Sequence, residues 1–364
     1  MQLEWEKLEE IPVTNKNAFQ HGLAGLVAGV HHNRLVLAGG SNFEGAMPWE
    51  GGRKLYHDTV FTWKQKANAA FSWEHANWQL PEPMAYSACV STEKGIVSLG
   101  GETGDGPAAR AFCLSFEEDE LKMTDYPQLP EALASSAAAA HGTTLYLAGG
   151  MGVTGETSHF FSLNLQAPEA GWQKLPDLPV RLSHAVAACQ HDGTETCFYI
   201  LGGRCRAGAT SKFLSAIWKY VPSKNEWQKT GELQVEGEAP FGLSAGTGLA
   251  YGSDSILLFG GDTGEAFNQT ERLINAVALA DTPEEKDHFL KLKENHLTSH
   301  KGFCTAVFCF NTRSGKLSRA GDMAGMTPVT TTAFWWNESV IIPGGEIRPG
   351  MRSAEVIRGI IRQE

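Results

Sequence analysis

Apolar residues along this chain come in short runs, and six of those runs end in a pair of glycines. They are RLVLAGG at 34–40, GIVSLGG at 95–101, TLYLAGG at 144–150, CFYILGG at 197–203, ILLFGG at 256–261 and SVIIPGG at 339–345. Runs this short, bounded by turn residues, predict buried β-strands. A loop follows each glycine pair, then a second strand such as SHFFSLNL at 158–165 or SAIWKYVP at 215–222. A tryptophan-bearing strand and a proline or glycine turn often come next, as in GWQKLPDLP at 171–179 and NEWQKTGEL at 225–233. The first glycines lie 61, 49, 53, 58 and 84 residues apart.

A period near fifty with this punctuation resembles the kelch repeat, which implies one four-stranded blade per repeat. The fold class expected is therefore all-β, a six-bladed β-propeller. The last repeat contains SAEVIRGII at 353–361 but stops without a tryptophan strand, and LEWEKLEEIP at 3–12 reads as that missing strand. Pairing of 3–8 with 354–361 closes the ring and removes exposed edges, so residues 1–364 are read as one domain. The widest spacing calls for an insertion over 265–300. Within it, TPEEKDHFLKLKENH at 282–296 predicts a helix, with Thr282 as cap, Pro283 at the first position and Glu285 completing a capping box. A lid over the mouth and an inert decoration are both compatible with it.

Composition narrows the function classes. Of the 364 residues 42% are hydrophobic and 20% charged, and 40 are glycine, as a turn-rich propeller requires. A net charge of −11 argues against nucleic acid as a partner. No apolar run approaches the ~20 residues that cross a bilayer, and the acidic start MQLEWEKLEEIP lacks the apolar core of a signal peptide. As given, the chain reads as cytoplasmic, or periplasmic if a leader was removed. Seven cysteines with no C-x-x-C spacing read as buried small hydrophobes. His288, His296 and His300 share roughly one helical face but have no convincing carboxylate partner, so no metal or cofactor is expected. The sequence leaves the oligomeric state open and admits a homodimer.

Candidate chemistry gathers after the glycine pairs. The next residues, equivalent from blade to blade, are Ser41, Glu102, Met151, Arg204, Asp262 and Glu346. Solvated turn charges explain four ionisable groups there, and so does a polar site at the ring's mouth. A long loop, SNFEGAMPWEGGRKLYHD at 41–58, adds Asn42, Trp49, Arg53 and Tyr56. In the last blade Arg352 follows Glu346 across Pro349-Gly350, which can fold the guanidinium back toward the carboxylate. Arg348 reads as solvated.

The segment GGEIRPGMRS at 344–353 is similar to the Glu…Pro-Gly…Arg segment of the N-acetylneuraminate epimerases, six-bladed kelch mutarotases. GGSNFEG at 39–45, RKLYHDTVFTW at 53–63, GGETGDG at 100–106 and AFNQ at 266–269 resemble the same family. The order differs: the Glu-Arg segment is C-terminal here and the GGSNFEG blade comes first, which resembles a cyclically permuted mutarotase group. Met84 stands where the family segment suggests Arg. The resemblance implies a cofactor-independent isomerase that exchanges the α and β anomers of a sialic acid or related keto-sugar acid. It implies Glu346 as proton acceptor and Arg352 as its partner, on the substrate carboxylate. Asn42, Arg53, Tyr56, Glu102, Arg204 and Asp262 are the expected substrate-binding residues. A non-catalytic kelch scaffold for protein or sugar is the alternative. A sialidase is disfavoured because its S-x-D-x-G-x-T-W repeats are absent, and a copper oxidase because no Tyr/His/Cys constellation can be assembled.

Overall fold

The computed structural model describes residues 2–13, 19–65 and 71–362. Six four-stranded antiparallel sheets form a six-bladed β-propeller. The inner strand of each blade begins at the mouth, and the second strand returns to it and ends in the glycine pair. In the first blade these are Val27–His31 and Arg34–Ala38, followed outward by Val60–Gln65 and Phe71–His75. The sixth blade is built from both ends of the chain. Its outer strand Gln2–Lys7 pairs antiparallel with Val356–Arg362, with Leu3 opposite Ile361 and Trp5 opposite Gly359.

The glycine pairs are demanded by close approach between blades. The first glycine of each pair is left-handed, with φ between +58° and +67° across the six blades. In five of the six, a Cβ there would press on a backbone carbonyl of the next blade, for example 2.1 Å from Leu133 O at Gly100. The second glycine of those five pairs donates its N–H to the same carbonyl at 2.8 Å: Gly40 to Met84, Gly101 to Leu133, Gly150 to Leu182, Gly203 to Leu243 and Gly345 to Leu23. Only a residue without a side chain allows both. Apolar packing continues the contact outward in six clusters, one between each pair of neighbouring blades. The outer tryptophans add a polar stitch. Trp5, Trp172 and Trp227 donate their indole N–H to Asp322 O, Pro127 O and Pro176 O at 2.8–2.9 Å.

A second set of backbone bonds closes the ring at its axis. A residue two to four places before each inner strand is left-handed: Gly25, Tyr86, Ser135, His184, Ala245 and Thr330. Each donates its N–H to the corresponding carbonyl of the preceding blade at 2.8–2.9 Å, so Tyr86 bonds Gly25, Ser135 bonds Tyr86, and Gly25 bonds Thr330 across the seam. This belt of six hydrogen bonds fixes five side chains and Gly25 around the mouth.

Every blade then raises a connection above the belt. Five are two-stranded hairpins starting after the glycine pair; the fifth blade instead carries two helices, α1 (Glu265–Leu279) and α2 (Pro283–Thr298). Thr282 caps α2 by accepting the Glu285 N–H, while the Glu285 carboxylate turns back to Asp281 N. The α1 helix is pinned to the fourth-blade hairpin by Glu271, which accepts Arg206 Nη1 at 2.7 Å and the Ser211 N–H at 2.6 Å.

Candidate active site

Each residue after a glycine pair bridges antiparallel to the residue that precedes a belt residue in the chain: Ser41 to Ala24, Glu102 to Ala85, Met151 to Ala134, Arg204 to Ser183, Asp262 to Ser244 and Glu346 to Val329. These six positions are therefore structurally equivalent and ring the mouth. Below the belt the axial channel, about 730 Å³, is lined mainly by small apolar side chains such as those of Ala137–Ala140 and Ala185–Ala188. Its lining also includes Tyr86 and His184 of the belt. The titratable groups converge above it.

Glu346 and Arg352 are direct cross-strand partners in the sixth-blade hairpin. Pro349 and Gly350 form the intervening turn, and Gly350 has φ +74°, the left-handed value this position requires. A Cβ on Gly350 would also lie 2.8 Å from Pro48 Cδ in the first-blade loop. The turn brings Arg352 Nη1 onto Glu346 Oε2, while the Gly350 N–H donates to Glu346 Oε1 at 3.0 Å. The pair is sheltered, the Arg352 side chain being only 5% exposed and that of Glu346 20%. Burial opposes the charge on Arg352, but Glu346 and Tyr86 outweigh it and raise its pKa above the usual arginine value. Gln20 clamps the hairpin through its Oε1, which accepts Arg352 N at 3.1 Å, and its Nε2, which donates to Gly350 O at 2.7 Å.

Two neighbouring blades complete this corner. The Tyr86 hydroxyl lies 2.8 Å from Ser41 Oγ and 3.4 Å from Arg352 Nη2. The Phe43 ring underlies the Arg352 guanidinium at 5.2 Å. Glu102 accepts Lys54 Nζ at 3.0 Å and the Tyr56 hydroxyl, and Lys54 also sits 4.4 Å over the Tyr86 ring. Burial first and the Glu102 bond second push the Tyr56 hydroxyl up to about 12.

Across the mouth stands a second cluster. Arg204 Nη2 faces His184 Nε2 at 3.4 Å, and the His184 Nδ1 edge meets Ser183 Oγ at 2.9 Å. Burial, then Arg204 and Lys54, hold His184 well below the usual histidine value, so the ring is neutral at pH 7. The Phe267 ring of α1 lies 4.5 Å from the Arg204 guanidinium. Asp262 accepts the Gly264 N–H at 2.8 Å, and burial raises its carboxyl above the usual range, against the pull of that bond and of Arg204. Beside it, a pocket of about 630 Å³ runs between Asp262, α1 and His300.

The residues expected from the sequence thus divide. Glu346, Arg352, Tyr56, Glu102, Arg204 and Asp262 face the mouth. Asn42 and Arg53 do not. Asn42 is 1% exposed, spent on Gln20 O at 3.0 Å and His57 at 2.9 Å. Arg53 points outward, its side chain 75% exposed and paired with Glu44 at 2.8 Å. Arg348 is half-buried rather than solvated, with an Nε that meets no partner among the described residues. Met84 is core, 3% exposed. Lys54, Tyr86, His184, Phe43 and Phe267 escaped the sequence reading. Tyr86 and His184 had a faint signal, the third place of the recurring MAYS and LSHA tetrads. Among the described residues, no three His, Cys, Asp or Glu side chains converge as a metal site.

Comparison with known proteins gives a consistent result. A family model described as N-acetylneuraminate epimerase matches residues 1–123 and 126–364. The N-acetylneuraminate epimerase of Yersinia enterocolitica serotype O:8 / biotype 1B is 35% identical over 127 residues, which cover 34% of this chain and 32% of that protein. That of Vibrio vulnificus is 31% identical over 131 residues, 33% of each chain. That of Salmonella typhimurium is 26% identical over 164 residues, 44% of this chain and 41% of the relative. The chain thus spans about a third of the length of the first two curated relatives it matches. The solved structure of YjhT superposes with a TM-score of 0.66 over 98% of both chains at 13% identity, a likeness of fold.

Proposed function

The chain belongs to the N-acetylneuraminate epimerase family, and from that premise we propose that it interconverts the α and β anomers of N-acetylneuraminate or a related keto-sugar acid. The observation that carries this reading is the sheltered Glu346–Arg352 pair, held cross-strand at the mouth beside the Tyr86 hydroxyl.

Anomer exchange in a cyclic hemiketal needs a base for the anomeric hydroxyl proton and an acid for the ring oxygen. The C–O bond to the ring oxygen then breaks, the open ketone rotates, and the hydroxyl adds back to its other face with both protons returned. Glu346 is the base in this scheme. Both its oxygens are already held, and each retains a lone pair for the substrate. Arg352 pairs with that carboxylate and aims it. Tyr86, whose hydroxyl is shared between Ser41 and Arg352, is the group we assign to the ring oxygen. Each positioned transfer typically contributes about 10²–10⁴-fold. Carboxylate, guanidinium and phenol suffice for these steps, so no metal or cofactor enters the scheme and activity is expected to survive exhaustive chelation.

The deciding experiment follows anomer exchange of N-acetylneuraminate by NMR, with and without the protein. Acceleration above the spontaneous rate supports the reading. No acceleration with this or related keto-sugar acids overturns it in favour of a non-catalytic sugar or protein scaffold.

A further inference from the structure

We propose that Arg204 is the receptor for the substrate's carboxylate, leaving the Glu346–Arg352 pair to the anomeric centre. This deepens the reading above and rests on it for the identity of the ligand.

Among the described residues, four cationic side chains of the hairpins border the mouth, Lys54, Arg204, Arg348 and Arg352, while Arg272 and Lys301 line the helical pocket beside Asp262. A carboxylate is best met by an open guanidinium edge offering two parallel N–H donors. Arg352 has none to offer. Its Nη1 is on Glu346, its Nη2 faces Tyr86, its Nε is buried, and only 5% of the side chain is exposed. Lys54 is a point charge already paired with Glu102 at 3.0 Å. Arg204 makes no ion pair among the described residues. Among the described residues its one polar side-chain contact is the neutral His184 ring at 3.4 Å, and the guanidinium lies over the Phe267 ring at 4.5 Å.

These surroundings pre-organise the guanidinium without satisfying its charge. The backbone of Arg204 is tied to Ser183 by paired N–H···O bonds of 2.9 and 3.0 Å, and His184 is a member of the belt. Burial is the largest influence on Arg204 and lowers its pKa, while Asp262, Glu156, Glu271 and Glu346 compensate only in part. An arriving carboxylate would supply the missing counter-charge. Arg348 also lacks an ion pair among the described residues, but it sits by the hairpin turn, opposite the exposed Met351, and no aromatic ring among those residues supports it. Glu346 acts electrostatically on both Arg204 and Asp262, so a sugar acid seated on Arg204 lies within the field of the base.

The test compares binding of N-acetylneuraminate and of its methyl ester, which lacks the negative charge, to the wild type, Arg204→Met and Arg204→Lys. Arg204→Met is expected to weaken the acid by about 10–100-fold and the ester by less than about 3-fold. Arg204→Lys keeps the charge without the two-point edge and should fall between. In turnover, Arg204→Met should act on KM, whereas loss of Arg352 should act on kcat. Equal losses for acid and ester, or no loss for either, overturn the proposal. So does failure of both Arg204 variants to fold, which would make the residue structural. A wild type that binds the acid tightly but exchanges no anomers defeats the proposed reaction and leaves this inference standing. A wild type that binds neither ligand defeats both.

Discussion

Replacing Glu346 with glutamine separates the base from the ion pair. Glutamine keeps an oxygen for the Gly350 N–H, now 3.0 Å from Glu346 Oε1. It presents an NH₂ group, a donor, to Arg352 Nη1, which is itself a donor. Arg352 is then a cation 5% exposed whose remaining neighbours, the Tyr86 hydroxyl and the Phe43 face, are neutral. Removing one partner of a buried pair costs about 3–5 kcal/mol. Glu346 is itself 20% exposed, which admits water to the rim and places the cost near the lower end, about 3 kcal/mol. Turnover should fall by about 10²–10⁴-fold from loss of the base. The double variant Glu346→Gln/Arg352→Met removes the stranded cation as well, so it should recover most of the stability and none of the activity. Guanidinium chloride denaturation reads the first effect, and NMR anomer exchange on fully folded protein reads the second. A Glu346→Gln protein with normal turnover per folded molecule would refute the assignment of the base. A double variant that regained turnover along with stability would show that the carboxylate acts through structure alone.

Three further outcomes follow from the same geometry. Gly350→Ala puts a side chain at φ +74° and a Cβ 2.8 Å from Pro48 Cδ; it should cost about 1–3 kcal/mol in a denaturant melt and slow exchange by displacing Arg352, and an unchanged melt would mean that the turn has slack. Tyr86→Phe keeps the ring under Lys54 but leaves the fully buried Ser41 Oγ without its partner at 2.8 Å; kcat should fall about 10–100-fold with KM little changed, and an unaltered kcat would hand the ring-oxygen proton to water. His184, held below its unfolded value by burial and then by Arg204 and Lys54, contributes stability that is complete above about pH 6.5. That contribution is lost as pH falls below that value, because the unfolded chain takes up a proton that the folded one refuses. Urea midpoints should therefore drop toward about pH 5, by at most about 1.4 kcal/mol per pH unit for this group. His184→Gln should flatten the slope without abolishing it, since burial lowers His31, His57 and His300 in the same direction.

What the sequence disclosed follows how strongly physics restricts each position. A left-handed residue pressed against a neighbouring backbone admits only glycine, so the six pairs were legible and carried the blade count with them. A left-handed residue with its side chain over the mouth has no such restriction. Gly25, Tyr86, Ser135, His184, Ala245 and Thr330 fill one equivalent place with six different residue types, so the belt that carries Tyr86 and His184 left almost no signature. The first-blade hairpin shows a different kind of miss. Ser41 pairs with Tyr56 and Phe43 with Lys54, while Asn42 pairs with Leu55 and Glu44 with Arg53. Faces alternate along a strand, so a Tyr56 turned to the mouth brings Lys54, Ser41 and Phe43 with it and sends Asn42 and Arg53 away. Period-two phase alone was enough to prefer Lys54 over Arg53. Arg352 was found, but the degree to which Glu346 occupies it depends on the Gln20 clamp and on the approach of Pro48, both contacts made across the ring seam.

That seam is held by the same bonds as other blade junctions. Gly25 bonds Thr330 at 2.8 Å, as Tyr86 bonds Gly25, and Gly345 reaches Leu23 as Gly40 reaches Met84. The junction between the sixth and first blades therefore repeats the geometry of the continuous ones. The chain ends fall inside a blade, between Gln2–Lys7 and Val356–Arg362, rather than between blades. The proposed catalytic corner draws Glu346 and Arg352 from the sixth blade, Ser41, Phe43 and Lys54 from the first, and Tyr86 and Glu102 from the second. It is assembled wholly from mouth connections, while the chain is cut on the outer flank of a blade. Moving the cut to another blade changes which loop entropy is spent in closing the ring and leaves every neighbour in place. The mouth geometry therefore depends on the order of blades around the axis, held by the belt and the glycine contacts, and not on which blade carries the chain ends.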